Sequence, residues 1–178
     1  MFRACLIAFA CLALTACERN DMMKQIEQQQ AEHDRLARET ASMSQAFLQE
    51  NAAKPGVKTT PSGLQYVVVR AVGADIARPT PTDRVTVNYE GKLINGKVFD
   101  SSYARGESID FVLNEVIAGW TEGLQLMKPG EEFTFFIPAD IGYGARGAGQ
   151  DIPPNAALIF KVELLKFQRP DGTVVGAR

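Results

Sequence analysis

Val85-Thr86-Val87-Asn88-Tyr89-Glu90 and Lys97-Val98-Phe99-Asp100, joined through Asn95-Gly96, decide how this chain folds. Val85, Val87 and Tyr89 alternate with Thr86, Asn88 and Glu90, the period of a strand with one buried face. Asn-Gly tolerates the positive φ angles of a tight hairpin turn, so the second run returns antiparallel to the first. A two-residue Asn95-Gly96 loop pairs Ile94 with Lys97 and Gly91 with Asp100. Tyr89 and Asp100 then share one face, and Phe99 points to the other.

Working outward, Leu64 to Val69 is β-branched and aromatic, and Phe133, Phe135 and Ile137 alternate with their neighbours. Leu158, Phe160, Val162 and Leu164 form another face, with Lys161 and Glu163 opposite. One helix interrupts these strands: Val116, Trp120, Leu124 and Met127 make a single apolar stripe, stopped by Lys128-Pro129-Gly130. A short helix on a mainly antiparallel sheet is an α+β domain, expected over residues 63–168. Residues 169–178, with Pro170-Asp171-Gly172, read as a disordered tail.

Upstream, residues 51–62 read as a linker, since Lys54-Pro55-Gly56 breaks a helix. Residues 21–50 contain neither Gly nor Pro and are rich in helix formers. Met22, Ile26, Gln29, His33, Leu36, Thr40, Met43 and Phe47 follow heptad spacing, but Gln29, His33 and Thr40 make the seam polar. Dimerisation through residues 21–50 and a solvated single-helix spacer about 45 Å long both fit. From Ala4 to Ala16 no residue is charged, a run too short to span a membrane and suited to a secretory signal. Leu14-Thr15-Ala16-Cys17 resembles the bacterial lipobox, with the signal 1–16 cut before Cys17 and the thiol lipidated. Residues 17–50 then form a lipid anchor and spacer helix of a cell-envelope lipoprotein. Glu18, in place of the Asp that usually retains such proteins in the inner membrane, points to the outer membrane, facing the periplasm or the cell surface.

Composition removes several functions. The 178 residues carry 19 Lys+Arg against 21 Asp+Glu, so the chain is no strongly basic nucleic-acid binder. The three cysteines, Cys5, Cys11 and Cys17, and the one histidine, His33, all precede the domain. Ser–His and Cys–His nucleophiles are thereby excluded there, and zinc lacks ligands. Gly142-Tyr143-Gly144-Ala145-Arg146-Gly147 follows no βαβ pattern, so it is no dinucleotide loop. What remains is aromatic: Tyr89, Phe99, Trp120, Tyr143 and Phe160, with Asp100 adjacent. That suits an apolar pocket whose chemistry needs no cofactor and no metal.

Val87-Asn88-Tyr89, Gly96-Lys97-Val98-Phe99-Asp100-Ser101-Ser102, Val116-Ile117-Ala118-Gly119-Trp120, Tyr143-Gly144, Ile152-Pro153-Pro154-Asn155 and Leu158-Ile159-Phe160-Lys161-Val162-Glu163-Leu164 stand in the order of a known family. They resemble the FKBP-type peptidyl-prolyl cis-trans isomerases. The layout of signal, helix and Gly56-Val57-Lys58-Thr59-Thr60 is similar to the macrophage infectivity potentiator subgroup. The resemblance implies a twisted antiparallel five- or six-stranded sheet wrapped around the one short helix. It implies a pocket with Trp120 as floor, lined by Tyr89, Phe99, Val116, Ile117, Tyr143 and Phe160, with Ile109, Ile152 and Arg105 contributing to substrate binding. Asp100 would orient the twisting amide, Tyr89 would hold Asp100, and the Tyr143 hydroxyl and Ile117 N–H would hold substrate carbonyls. For Phe99 to join that pocket the strand must twist or bulge before it. Arg105 matches a family arginine that pairs with the aspartate; a solvated loop arginine is the alternative.

The implied substrates are proline-containing unfolded or partly folded polypeptides, with macrolides of the rapamycin/tacrolimus type as inhibitors. Ile109, Ala148 and Asp151 depart from common family residues and bear on substrate preference. The rival function is a non-catalytic chaperone or partner-binding module using the same cleft.

Overall fold

A computed structural model describes the backbone of residues 4–73 and 75–176, and the side chains of 20–73 and 75–176. Helix α1 (Ala4–Ala52) precedes strands β1 (Lys58–Thr59), β2 (Gln65–Arg70), β3 (Arg84–Leu93) and β4 (Val98–Ser101). Helix α2 (Ser102–Arg105), β5 (Ile109–Val112), helix α3 (Ala118–Leu124), β6 (Glu132–Ile137), β7 (Leu158–Gln168) and β8 (Val174–Gly176) follow. The expected α+β architecture is present: one antiparallel sheet in the order β1-β2-β6-β7-β3-β4, with β5 on β3 and β8 on β7.

Eight strands occupy six positions, because the two long strands each carry two short partners end to end. The first half of β3 pairs with β5 and its second half with β4. β7 runs along the whole of β3 on one edge and pairs with β6 and then β8 on the other. The alternation read in sequence becomes burial: Val85, Val87, Phe135, Ile137, Leu158, Val162 and Leu164 are fully buried. Their faces close on α3, whose Trp120 and Leu124 are buried with the following Met127. Burying each such aliphatic side chain stabilises by about 1.5–3 kcal/mol.

Three expectations need correction. The stretch after residue 168 is not a disordered tail, because Pro170-Asp171-Gly172 is a hairpin turn. Asp171 Oδ1 accepts from the Thr173 N–H at 2.8 Å, and Arg169 N–H reaches Thr173 O at 2.9 Å. Val174 and Val175 then pair with Gln168 and Phe167, and Val175 packs on the core. Arg178 and Ala177 lie outside the described residues.

The linker 51–62 is likewise structured: Lys58 pairs with Tyr66 and Thr59 with Gln65, so the sheet starts five residues before Gly63. Helix α1 runs through Asn20 and Asp21 instead of starting there, and it does not stand apart as a spacer. Its last four turns dock on the domain, with Thr40, Ser44 and Asn51 buried. Phe47 meets Phe136 at 6.0 Å. The buried polar side chains of Ser44, Asn51 and Gln65 at this contact are paired. Asn51 Nδ2 donates to Gln65 Oε1 at 2.9 Å, and Gln65 Nε2 to Leu48 O at 2.8 Å. Ser44 Oγ accepts from Ala157 N–H at 2.8 Å, and Asn155 Nδ2 donates to Ala37 O at 3.2 Å.

The heptad seam therefore splits: Thr40 and Phe47 face the chain's own domain, while Met22, Ile26, Leu36 and Met43 are exposed. The Cys17 side chain and residues 1–3 of the expected signal lie outside the described residues. Among the described residues no helix is long and apolar enough to cross a membrane.

Candidate active site

The site begins at the β3–β4 hairpin. Its loop has three residues, not two: Leu93 N–H bonds to Lys97 O at 2.9 Å, and Gly96 N–H to Leu93 O at 2.9 Å. Gly96, at φ 86°, takes the left-handed position that closes such a loop. Lys92 then faces Val98, one residue out of the expected register. Between that pair and Gly91–Asp100 the register shifts, so Phe99 is the extra residue of a bulge. The three-residue loop and the bulge cancel, and Gly91 opposes Asp100 as expected, for a different reason.

The bulge turns both Phe99 and Asp100 into one cavity of about 360 Å3. Opposite it, Gly91 leaves space for the rings: a Cβ there would lie 2.6 Å from Phe160 and 2.7 Å from Phe99. Trp120 forms the floor, edge-on to Tyr89 at 5.1 Å, Phe160 at 5.2 Å and Phe111 at 5.5 Å. Phe99 meets Phe160 edge-on at 5.5 Å. These are the favoured geometries for aromatic quadrupoles. Trp120 Nε1–H is buried with no hydrogen-bond partner among the described residues. Val116, Ile117 and Tyr143 complete the wall with Glu115.

One polar cluster stands at this apolar cavity. Tyr89 Oη donates to Asp100 Oδ2, and Arg105 donates to Asp100 Oδ1. Arg105 also reaches Tyr89 Oη at 3.2 Å, with its guanidinium 5.8 Å from the ring centre. Local structure aims it there: Ser101 Oγ caps α2 by accepting from Ala104 N–H at 3.2 Å, and the fully buried Ser102 accepts from Tyr89 N–H at 2.8 Å. Partial burial would raise the Asp100 pKa, but the hydrogen bonds from Tyr89 and Arg105 outweigh it and hold the carboxyl below its usual 3.8. Burial, then the bond to Asp100, pushes Tyr89 up to about 12, so it stays a donor.

Tyr143 sits between two 3-10 turns, Ala139–Ile141 and Gly144–Arg146. Burial and then the Asp100 charge raise its pKa. Its hydroxyl, 39% exposed as a residue, and the Ile117 N–H make no hydrogen bond among the described residues. Free donors beside an apolar wall fit a ligand that brings carbonyl oxygens.

The structure gathers Tyr89, Phe99, Asp100, Val116, Ile117, Trp120, Tyr143 and Phe160 as expected around one cavity. Two expected lining residues are elsewhere. Ile109 packs on the core and leaves the wall to Phe111, two residues on and on the same face of β5. Ile152 is buried under the loop, exchanging backbone bonds with Ala148 at 2.9 and 3.1 Å. Arg105 holds Asp100 and does not line the cavity. Asp151 pairs with Lys97 at 2.8 Å. Sequence reading missed Phe111, Glu115 and Gly91. The period of two from Ile109 pointed to Phe111; no local signal marks Gly91, whose neighbours come from β4 and β7.

Residues 76–165 match the family of FKBP-type peptidyl-prolyl cis-trans isomerases, and residues 11–68 the domain amino-terminal to such isomerases. The chain is 50% identical over 154 residues to a probable FKBP-type isomerase, FkpA, of Neisseria meningitidis, covering 84% of this chain and 56% of that protein. It is 41% identical over 163 residues to an outer membrane protein MIP of Legionella longbeachae, covering 89% of this chain and 69% of that one. The crystal structure of FkpA from Escherichia coli superposes with a TM-score of 0.75 at 35% identity, covering all of this chain and 84% of that one. The chain spans about half the length of several of these relatives, 51% for the FkpA of Aeromonas hydrophila. Matches over both halves, at about half identity to curated members, mean that the chain belongs to the FKBP-type peptidyl-prolyl cis-trans isomerase family.

Proposed function

We propose that this protein accelerates cis-trans rotation of X-Pro bonds in cell-envelope polypeptides, binding the twisted amide in its aromatic cavity and so assisting folding. The observation that carries this reading is the cavity itself: three rings, Tyr89, Phe111 and Phe160, edge-on to buried Trp120, with one oriented carboxylate, Asp100, at the wall.

Rotation about a peptide bond meets a barrier of about 18–20 kcal/mol. For X-Pro the two isomers are nearly balanced, so the barrier alone makes exchange slow. At the twisted geometry C–N resonance is lost and the amide is less charge-separated. An apolar wall therefore favours the twisted state over the planar one, which is differential binding with no covalent step. Each ~1.36 kcal/mol of such preference is about tenfold in rate.

Asp100, kept ionised by Tyr89 and Arg105, orients the rotating carbonyl carbon and nitrogen electrostatically. Tyr143 Oη and the Ile117 N–H, both without a partner among the described residues, hold flanking substrate carbonyls. Macrolides of the rapamycin/tacrolimus class occupy the same cavity as inhibitors. Lipid on Cys17 anchors the protein in the outer membrane. The exposed Met22, Ile26, Leu36 and Met43 leave self-association or a single-helix spacer for the undocked part of α1, which sedimentation of the parent and of Ile26→Lys separates.

A proline-limited peptide assay tests the central reading. The parent is expected to catalyse, and Asp100→Ala to lose about tenfold, the scale of one charge-assisted hydrogen bond. An inactive parent that still suppresses aggregation of unfolded chains would replace this reading with a non-catalytic chaperone. Labelled palmitate entering the parent but not Cys17→Ala checks the anchor.

A further inference from the structure

Two carboxylates line the cavity, and they are not equivalent. Asp100 has both oxygens engaged, one by Tyr89 and one by Arg105. Glu115 ends the 3-10 turn Leu113–Glu115, directly before Val116 and Ile117, and is exposed. It makes no hydrogen bond or ion pair among the described residues.

The neighbouring cations are committed elsewhere. Arg105 is on Asp100, Lys97 is on Asp151 at 2.8 Å, and Lys161, on the outer face of β7, is on Glu132 at 3.3 Å. Lys92 alternates to the face of β3 opposite Gly91, and Arg146 does not line the cavity. Among the described residues, the cavity is thus left with one lining carboxylate, Glu115, that no cation pairs.

We infer that Glu115 is a specificity-determining residue that selects substrates by charge, favouring X-Pro segments with a basic residue next to the proline and disfavouring acidic ones. This rests on the isomerase reading of the cavity. A bound X-Pro segment is only a few residues long, so a side chain beside the proline lies at the mouth that Glu115 borders. At a partly solvated site, exchanging attraction for repulsion between unit charges changes binding about three- to tenfold. A solvated glutamate with no contact to substrate would give no such discrimination.

The test measures kcat/KM for Ala-Xaa-Pro-Phe peptides with Xaa as Lys, Leu or Glu, each expressed relative to the Leu peptide. Parent and Glu115→Gln are compared at low salt and at about 1 M salt, where the Debye length falls to about 3 Å. The expected result is a Lys-to-Glu preference of about three- to tenfold in the parent, carried mainly by KM. That preference should collapse toward one in Glu115→Gln and in high salt. The same preference in Glu115→Gln as in the parent would overturn the inference while leaving the isomerase reading standing. A parent that catalyses none of the three peptides would overturn the isomerase reading itself.

Discussion

The cavity and the seat of α1 treat polar atoms in opposite ways. Where α1 meets the sheet, the buried side chains of Asn51, Gln65 and Ser44 are paired: Asn51 with Gln65, Gln65 with Leu48, Ser44 with Ala157. In the cavity, Trp120 Nε1–H is buried without a partner, and the Tyr143 hydroxyl and Ile117 N–H are also unpaired among the described residues. A buried donor left unsatisfied costs about 1–3 kcal/mol. The first region pairs its polar groups within the fold, whereas the second leaves donors open, as the proposed binding of substrate carbonyls requires. Asp100 and Tyr89 differ from these donors: they bond to each other and to Arg105, and those bonds hold the Asp100 carboxyl below its usual range.

Substitutions sharpen this contrast, beginning with the largest effect. Gly91→Ala should drive the Phe99 and Phe160 rings apart, since its Cβ would come within 2.6–2.7 Å of both. We expect kcat/KM to fall by about a hundredfold or more, with a stability loss of about 1–3 kcal/mol for overpacking. Unchanged activity would mean that the two rings are not where catalysis occurs.

Asn51→Ala should shift the urea midpoint by the equivalent of about 1–3 kcal/mol, because Gln65 Oε1 is left buried without its donor. Its kcat/KM should match the parent's. A drop in activity at equal foldedness would break the division between the two regions.

Arg105→Gln should lower kcat/KM by about three- to tenfold and move the acid limb of the pH profile upward. In the parent the folded Asp100 value lies below 3.8, so its contribution is full above that pH and is lost only as pH falls through the depressed value. Without Arg105, burial weighs more and protonation comes earlier. A limb that stays in place would assign the depression to Tyr89 alone.

Tyr143→Phe should be the mildest, lowering kcat/KM about two- to fivefold and leaving the thermal midpoint unchanged, since the hydroxyl has no partner among the described residues to lose. A destabilised Tyr143→Phe would place that hydroxyl with the paired groups of the α1 seat instead.

Legibility in the sequence followed the range of the forces involved. The alternation of Val85, Val87 and Tyr89, and of Leu158, Phe160, Val162 and Leu164, is a local pattern that burial must honour, and it did. Pro170-Asp171-Gly172 misled in the other direction: turn chemistry looked like disorder because the hairpin needs Phe167 and Val175 to come together across it. The polar face of α1 looked solvated for a similar reason. Its partners, Gln65, Asn155 and Ala157, are up to 118 residues away, so no local pattern announces the contact.

The hairpin separates the two kinds of information most cleanly. From sequence alone came the strands, the turn at Asn95-Gly96, the Gly91–Asp100 pairing and a shared face for Tyr89 and Asp100, because residue type and period two act over a few residues. Only the tertiary structure decided that the loop has three residues, that Phe99 is bulged, and that Gly91 must lack a side chain. Those depend on how the rings of Phe99 and Phe160 share one space, a packing problem among β3, β4 and β7 that no single stretch of chain contains.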